Sequence, residues 1–255
     1  MKKHQLLGNY KIHSNIYNVI MGLVLKASQL LFPLITFPYI TRILQPEGMG
    51  RASFAQSVVD IFSMLAMLGI PLYGIKACSR VRDDNTKLST TVKELLIINS
   101  IAMIIAYCLL VISIRYIEEF NSEAVLISVL SLKMILTVFG VEWFYQSIEQ
   151  YDYITIRSVL GKLFSIILMF IIVKDSNDII QYGFILVIGT VGTNIFNILR
   201  LHNFVSFNNT NKINIKQHLS PILILFAFSA TTTIYNSLST VIIGFLSTDI
   251  EVGYY

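Results

Sequence analysis

The chain has 255 residues, of which 55% are hydrophobic and 13% are charged, and its mean hydropathy is +0.68. Soluble domains carry roughly 25% charged residues, so this chain has too few charges to coat a soluble surface. With only two cysteines, it is not a disulfide scaffold, and its long apolar runs exclude a soluble enzyme and a disordered chain. The net charge of +4 comes without a basic, aromatic-rich cluster, so no nucleic-acid partner is expected.

A membrane-spanning helix needs about 20 mostly apolar residues, and seven stretches meet this requirement. They are continuous and lack the period-two alternation of a membrane β-barrel, which predicts an all-α polytopic membrane protein. The predicted spans are residues 16–40, 52–75, 95–114, 124–141, 158–173, 179–199 and 219–248. We expect a cytoplasmic tail over 1–15, a six-helix lobe over 16–201, a cytoplasmic linker over 202–218, and a seventh helix with the start of a second lobe over 219–255.

The distribution of lysine and arginine predicts the orientation. With a cytoplasmic N-terminus, twelve basic residues lie on the inner side and four on the outer side, which matches the positive-inside rule. The inner set is Lys2, Lys3, Lys11, Lys76, Arg80, Arg82, Lys87, Lys93, Arg157, Arg200, Lys212 and Lys216, and the outer set is Arg42, Arg51, Arg115 and Lys174. The seventh span then places the C-terminus outside, and we expect the chain to be the N-terminal half of a longer transporter.

No motif indicates catalysis. The chain has no phosphate-binding G-x-x-x-x-G-K-[ST] loop, no H-E-x-x-H and no G-x-S-x-G. Transport is therefore expected rather than an enzymatic activity, with no cofactor, and the sequence does not specify a coupling ion such as H⁺ or Na⁺. The four histidines, among them His202 and His218, are predicted to be solvated or interfacial in cytoplasmic segments. The aromatic residues of segment 142–157 are predicted to form a belt at the lipid headgroups, with a role in substrate entry as the alternative.

Polar residues recur at helical spacing inside several spans. Lys26 and Gln29 lie on the polar face of the first span, Asn194 lies in the sixth, and Asn236 lies in the seventh. Polar residues within membrane helices can act as packing contacts between helices or can line a wet cavity. We favour a hydrophilic central cavity, because a full lysine charge lies in the first of these faces.

Depth along the helices predicts one ion pair. Asp60 lies eight residues into the second span and Lys133 nine residues into the fourth, which is about 12 and about 14 Å from the outer edge. This pair can be structural or can bind substrate, and the sequence leaves both open. Lys26 lies deeper and has no acid at matching depth, so it is the better candidate for holding an anion.

Three motifs on these elements resemble a known family. PLITFPYITRILQPEGMG (33–50) with LGIPLYGIKACSRVRDD (68–84), VEWFYQSIEQYDYITIRSVLGK (141–162) and the closing EVGYY are similar to bacterial Wzx-type polysaccharide flippases of the multidrug/oligosaccharidyl-lipid/polysaccharide exporter superfamily. The family usually has Leu-Gly where this chain has Leu44-Gln45.

The resemblance implies two six-helix lobes around a central cavity that work by alternating access in the bacterial cytoplasmic membrane. It implies a lipid-linked substrate, an undecaprenyl-diphosphate-linked oligosaccharide, for O-antigen or capsule synthesis, with a polysaccharide polymerase and assembly proteins as partners. The cations Lys26, Arg42, Arg51 and Lys133 are then candidates for binding the diphosphate. Arg42 and Arg51 have the alternative role of anchoring helix ends.

Three rival interpretations remain. A drug or cation antiporter of the same superfamily would place an acid in its cavity, where the first span has Lys26 instead. An integral-membrane polysaccharide polymerase would need large outer loops, and the predicted outer loops have about ten residues. The third rival is an inactive fragment of a flippase.

Overall fold

The computed structural model describes residues 14–207 and 213–255, and the secondary structure within them is helical. The helices are α1 (Asn15–Met67), α2 (Ile70–Val81), α3 (Asn85–Tyr116), α4 (Glu118–Ser122), α5 (Ala124–Phe139), α6 (Glu142–Ser147), α7 (Tyr151–Ile172), α8 (Ile179–Thr190), a 3₁₀ turn (Gly192–Asn194), α9 (Ile195–Leu201), α10 (Lys216–Leu246) and α11 (Asp249–Tyr254). Most of the predicted N-terminal tail, with His4 and His13, and Lys212 of the linker lie outside the described residues.

Among the described residues, five helical stretches are long and apolar enough to cross a membrane. The pair formed by α8 and the segment Gly192–Leu201, bent by 46°, makes a sixth. One of the five, Asn15–Val81, has 67 residues and would reach about 100 Å as a straight helix, more than three times the hydrocarbon thickness. It divides at Gln45, and counting its two parts separately gives the seven predicted spans. The all-α polytopic membrane fold is thus confirmed, while the domain boundaries stay predictions.

Backbone conformation explains the division at Gln45. This residue has φ 58° and ψ 175°, a left-handed conformation that favours glycine, and glycine is what the resembled family usually has there. Pro46 follows, and a proline disfavours the helical conformation of the residue before it. The next helix therefore starts with Pro46 in its first turn, where the missing N–H is harmless.

Asparagine side chains cap the backbone carbonyls at two further breaks. At the end of α1, where Leu68 and Gly69 both have positive φ, Asn99 Nδ2 donates to the Ala66 carbonyl at 2.8 Å. Where α5 ends before Val141, Asn197 Nδ2 donates to the Gly140 carbonyl at 2.7 Å. Helix ends leave carbonyls without partners, and such groups are costly inside a membrane. These side chains therefore stabilise broken helices that would otherwise be unfavourable.

Helix α6 turns its aromatic residues into the protein rather than toward the headgroups. Trp143, Phe144 and Tyr145 are all buried, and the Tyr145 hydroxyl donates to the Asn197 carbonyl at 2.8 Å. The Trp143 ring packs on Gly74 of α2, where an added Cβ would lie 2.5 Å from the ring. The predicted aromatic belt is wrong for these three residues, because the break at Val141 directs α6 back against α2.

The turn between α2 and α3 carries a complete helix cap. The Asp84 carboxylate accepts hydrogen bonds from the Thr86 hydroxyl and from the backbone N–H groups of Thr86 and Lys87. These bonds favour the charged form and lower the pKa of Asp84 to about 2, with the Thr86 hydroxyl contributing most. Helix α3 therefore has a fixed starting point at this turn.

Helix α10 is less buried than the other long helices, and glycines allow it and the segment after it to approach the lobe closely. In the most apolar 18 residues of α10, 11% are buried, whereas 39–44% are buried in the other four membrane-spanning stretches. Gly69 packs on the backbone of Phe226. After α10, α11 crosses the chain just beyond the Gln45 kink, and there Gly50 touches the Asp249 carbonyl while Gly253 touches the Pro46 carbonyl. A Cβ on either glycine would overlap that oxygen.

Candidate functional site

Asp60 of α1 and Lys133 of α5 form the predicted ion pair. Lys133 Nζ donates to Asp60 Oδ1 at 2.6 Å, and the two side chains are 26% and 29% exposed, respectively. A charge-assisted bond of this length is at the strong end of its class. The ion pair predicted from depth is confirmed, and more than a quarter of each side chain remains exposed on the protein surface.

Arg42 and Arg51, the two arginines predicted at an outer loop, have different contacts. Arg51 makes a two-pronged contact with Glu123, with Nε at 2.5 Å from Oε1 and Nη2 at 3.2 Å from Oε2. Glu123 is buried, with its side chain 10% exposed. Arg42 is exposed and makes no hydrogen bond or ion pair within the described residues. The Arg51 contact ties the kinked α1 to the start of α5, which fits the anchoring alternative for this residue.

Three predicted cavity residues lie on open surface. Lys26 and Gln29, three positions apart on α1, are exposed, and so is Asn236 on α10. Lys26 has neither a hydrogen bond nor an ion pair to any residue that the structure describes. The buried face of this part of α1 runs instead through Asn18, Leu25 and other residues spaced at seven and four. The first span therefore presents its lysine away from the bundle interior, and the cavity-facing role of Lys26 stays a prediction.

Asn194 lies in the interior rather than on a cavity wall. It is 5% exposed, its Oδ1 accepts from Arg157 Nη1 at 2.8 Å, and its Nδ2 donates to the Leu136 carbonyl at 3.1 Å. Both ends of the amide are therefore occupied within the chain. This arrangement holds the 3₁₀ turn against the end of α5, as expected of polar residues that join membrane helices.

Two buried cations on α7 were missed as site residues. Arg157, predicted in a cytoplasmic loop, is 8% exposed and reaches Glu142 Oε2 at 3.4 Å as well as Asn194. Lys162 is 6% exposed and donates to the hydroxyls of Ser158 at 2.8 Å and Ser28 at 3.0 Å. The signal in the sequence was the presence of two basic residues within a largely apolar helix. Together they place two positive charges inside the bundle.

The prediction that His218 is solvated or interfacial is wrong. This residue is buried at the start of α10, where its Nε2 lies 2.7 Å from Glu94 Oε2 and its Nδ1 lies 2.7 Å from the Tyr73 hydroxyl. Glu94 itself is 2% exposed and also accepts from the Asn214 N–H at 2.6 Å. These contacts join α10 to α2 and α3, so the residues after the linker dock on the lobe through polar groups. No group of three or more His, Cys, Asp or Glu residues suited to a metal occurs in residues 14–207 and 213–255.

Comparison with known proteins identifies the family. A model of the family described as "Polysaccharide biosynthesis protein" matches residues 16–255. The chain belongs to this family. Its membership confirms the resemblance stated from the sequence motifs, and it agrees with a helical membrane lobe that carries charged residues inside its spans.

Two curated proteins match over most of this chain. A protein of Escherichia coli (strain K12) named "Putative O-antigen transporter" is 26% identical over 241 residues, which is 92% of this chain and 57% of that protein. A protein of the same name from Shigella dysenteriae is 25% identical over 238 residues, covering 92% of this chain and 60% of that protein. The chain thus spans a little over half the length of these relatives. No solved structure matches it.

Proposed function

We propose that this chain supplies the first lobe and the seventh helix of a flippase. The flippase carries undecaprenyl-diphosphate-linked oligosaccharide units across the bacterial cytoplasmic membrane by alternating access, for surface polysaccharide such as O-antigen or capsule. The family and the names of its two relatives support transport rather than catalysis. In this proposal the N-terminus is cytoplasmic, and a polysaccharide polymerase and assembly proteins act on the product.

The observation that carries this proposal is a set of accessible cations within membrane helices. A lysine at membrane depth is unfavourable unless it faces a wet cavity or an anion. Lys26 is exposed and has no partner within the described residues, whereas Lys133 is held by Asp60 and stays partly accessible. A lipid diphosphate supplies the anion that Lys26 lacks in this state and can compete with Asp60 for Lys133, and an ammonium binds phosphate as a point charge.

The ion pair also favours an anionic over a cationic substrate. Asp60 is the acid that the sequence places within the first two spans, and Lys133 already neutralises it at 2.6 Å. To bind Asp60, a cationic drug would have to displace the Lys133 ammonium group, which belongs to the protein itself. An arriving diphosphate would instead compete with Asp60 for Lys133, and its departure would let the pair form again.

The test is export by the full reading frame that encodes this chain, expressed in a strain lacking its own flippase. Lys26→Ala should reduce surface polysaccharide about tenfold or more, because one charge-assisted phosphate contact contributes roughly 1.5–3 kcal/mol. Lys26→Arg should keep part of the export, since it retains the charge. Lys174→Ala, which removes an exposed lysine outside the spans, is the matched control.

Membrane abundance of each variant is measured in parallel by immunoblot. Normal export by Lys26→Ala at normal abundance would contradict the proposed role of Lys26. Loss of abundance together with export would also contradict it, because the lysine would then serve folding.

A further inference from the structure

A groove separate from the Asp60–Lys133 pair runs between α7 and α9 on the outside of the bundle. Its volume is about 770 Å³. One end is lined by the charged residues Asp152, Arg157 and Arg200. The other end is lined by apolar side chains that are each more than half exposed, namely Ile156, Leu160, Phe196 and Leu199. The groove is thus polar at the end of the helices and apolar toward their middle.

Two buried donors at the polar end lack acceptors. Arg157 Nε and the Tyr153 hydroxyl are fully buried and have no hydrogen-bond partner among the described residues, and both residues line the groove. Arg157 is more than nine-tenths buried. A buried donor without an acceptor is unfavourable. An acceptor from outside the chain is therefore indicated at this point.

Charge and depth define that acceptor. The lining contains two guanidinium groups and one carboxylate, and Glu142 beside Arg157 adds a second carboxylate at 3.4 Å. A phosphodiester with its single negative charge is repelled less by these carboxylates than a diphosphate. Arg157 lies six residues from the start of α7, which is about 9 Å along the helix, so a phosphate there is near headgroup level and an attached chain points along the apolar wall.

We propose that this groove binds an anionic phospholipid of the surrounding membrane, with phosphatidylglycerol as the type. Its phosphate accepts from Arg157 and Tyr153, and one acyl chain lies against Ile156, Leu160 and Phe196. The Arg200 guanidinium, stacked 4.0 Å from the centre of the Tyr153 ring, forms the other side of the headgroup site. The lipid thereby bridges α7 and α9 next to the bend between α8 and α9.

The test uses the purified chain, delipidated in detergent and titrated with phosphatidylglycerol, with native mass spectrometry as the readout. Leu160→Trp fills the apolar end of the groove and should weaken binding at least about tenfold, the factor that corresponds to 1.4 kcal/mol. Leu163→Trp is the matched control, because Leu163 is similarly exposed on the same helix and does not line the groove. Tyr153→Phe removes only the hydroxyl and should weaken binding severalfold.

Several outcomes would overturn the proposal. Equal weakening by the two tryptophan variants would show that lipid binds the helix surface without a site. Unchanged affinity of the Tyr153→Phe variant for phosphatidylglycerol would show that the Tyr153 hydroxyl does not bind the phosphate. Undecaprenyl diphosphate displacing phosphatidylglycerol would make the groove part of the substrate path instead. Phosphatidylcholine binding as tightly as phosphatidylglycerol would exclude recognition of a net negative lipid. None of these results bears on whether Lys26 is needed for export.

Discussion

Breaking the Asp60–Lys133 pair is the perturbation whose size the structure determines best. At 2.6 Å between Nζ and Oδ1, the gross Coulomb attraction is on the order of 6 kcal/mol for an effective dielectric constant of about 20. Each side chain is more than a quarter exposed, so screening and desolvation remove most of this. The net value lies between that of exposed pairs, about 0–1 kcal/mol, and the 3–5 kcal/mol loss on breaking a buried pair.

We therefore expect Lys133→Met or Asp60→Asn to lower the free energy of unfolding by about 2 kcal/mol. For a chain of this size that is a fall of about 4–8 °C in the thermal midpoint. The assay is thermal unfolding of the purified protein in detergent, followed by the fraction that stays monodisperse. Lys174→Met, at an exposed position, should leave the midpoint unchanged.

The double variant decides whether the two charges interact. Asp60→Asn with Lys133→Met should lose about 2 kcal/mol less than the sum of the single losses, and the exchange Asp60→Lys with Lys133→Asp should recover part of the midpoint. Losses that add within about 0.5 kcal/mol would refute the reasoning, because the contact would then contribute nothing to stability.

Two further predictions concern the broken helices and the topology. Asn197→Ala leaves the Gly140 carbonyl without its donor and should cost about 1–3 kcal/mol, whereas Asn236→Ala, at an exposed position, should leave the thermal midpoint unchanged; equal midpoints would show that the capping bond is dispensable. In protein with Cys78 and Cys108 replaced by alanine, single cysteines at Asn121 and Asn177 should react with membrane-impermeant thiol reagents from outside the cell, and a cysteine at Asn85 should not. The opposite labelling would overturn the cytoplasmic N-terminus.

The sequence was informative wherever one helix could be considered alone. Hydropathy located the spans, and position along the spans was enough to pair Asp60 with Lys133, because both lie at similar depth in helices that must cross the same layer. Prediction from the sequence failed where a contact between two helices depends on a bend in the chain. Asn194 and Asn197 bond to carbonyls some 57 residues away, at the end of α5, where the chain breaks at Val141, a residue with no local signal for its positive φ.

The burial of three basic residues, which the sequence did not predict, has a related explanation. Arg157, Lys162 and His218 lie close to predicted span ends, where a basic residue is normally solvated at the headgroups. Their burial comes from partners on distant segments, such as Ser28 for Lys162 and Glu94 for His218. Periodicity shows which side of a helix is polar, but not which neighbour covers it.

The glycine contact between Gly50 and Gly253 has a mechanical consequence. Each glycine lies against the carbonyl four residues before the other, Pro46 and Asp249, so the two segments meet with a local twofold relation and no side chain between them. Because this contact joins backbone atoms, no side-chain contacts have to be broken there when the two segments separate. Helix α10 therefore has an attachment to the lobe at each end, His218 at its start and this glycine contact just after it, and between them it contacts Gly69 through Phe226 and Phe54 through Phe245. A rotation of α10 against the lobe would have to break contacts along the helix as well as at its two ends.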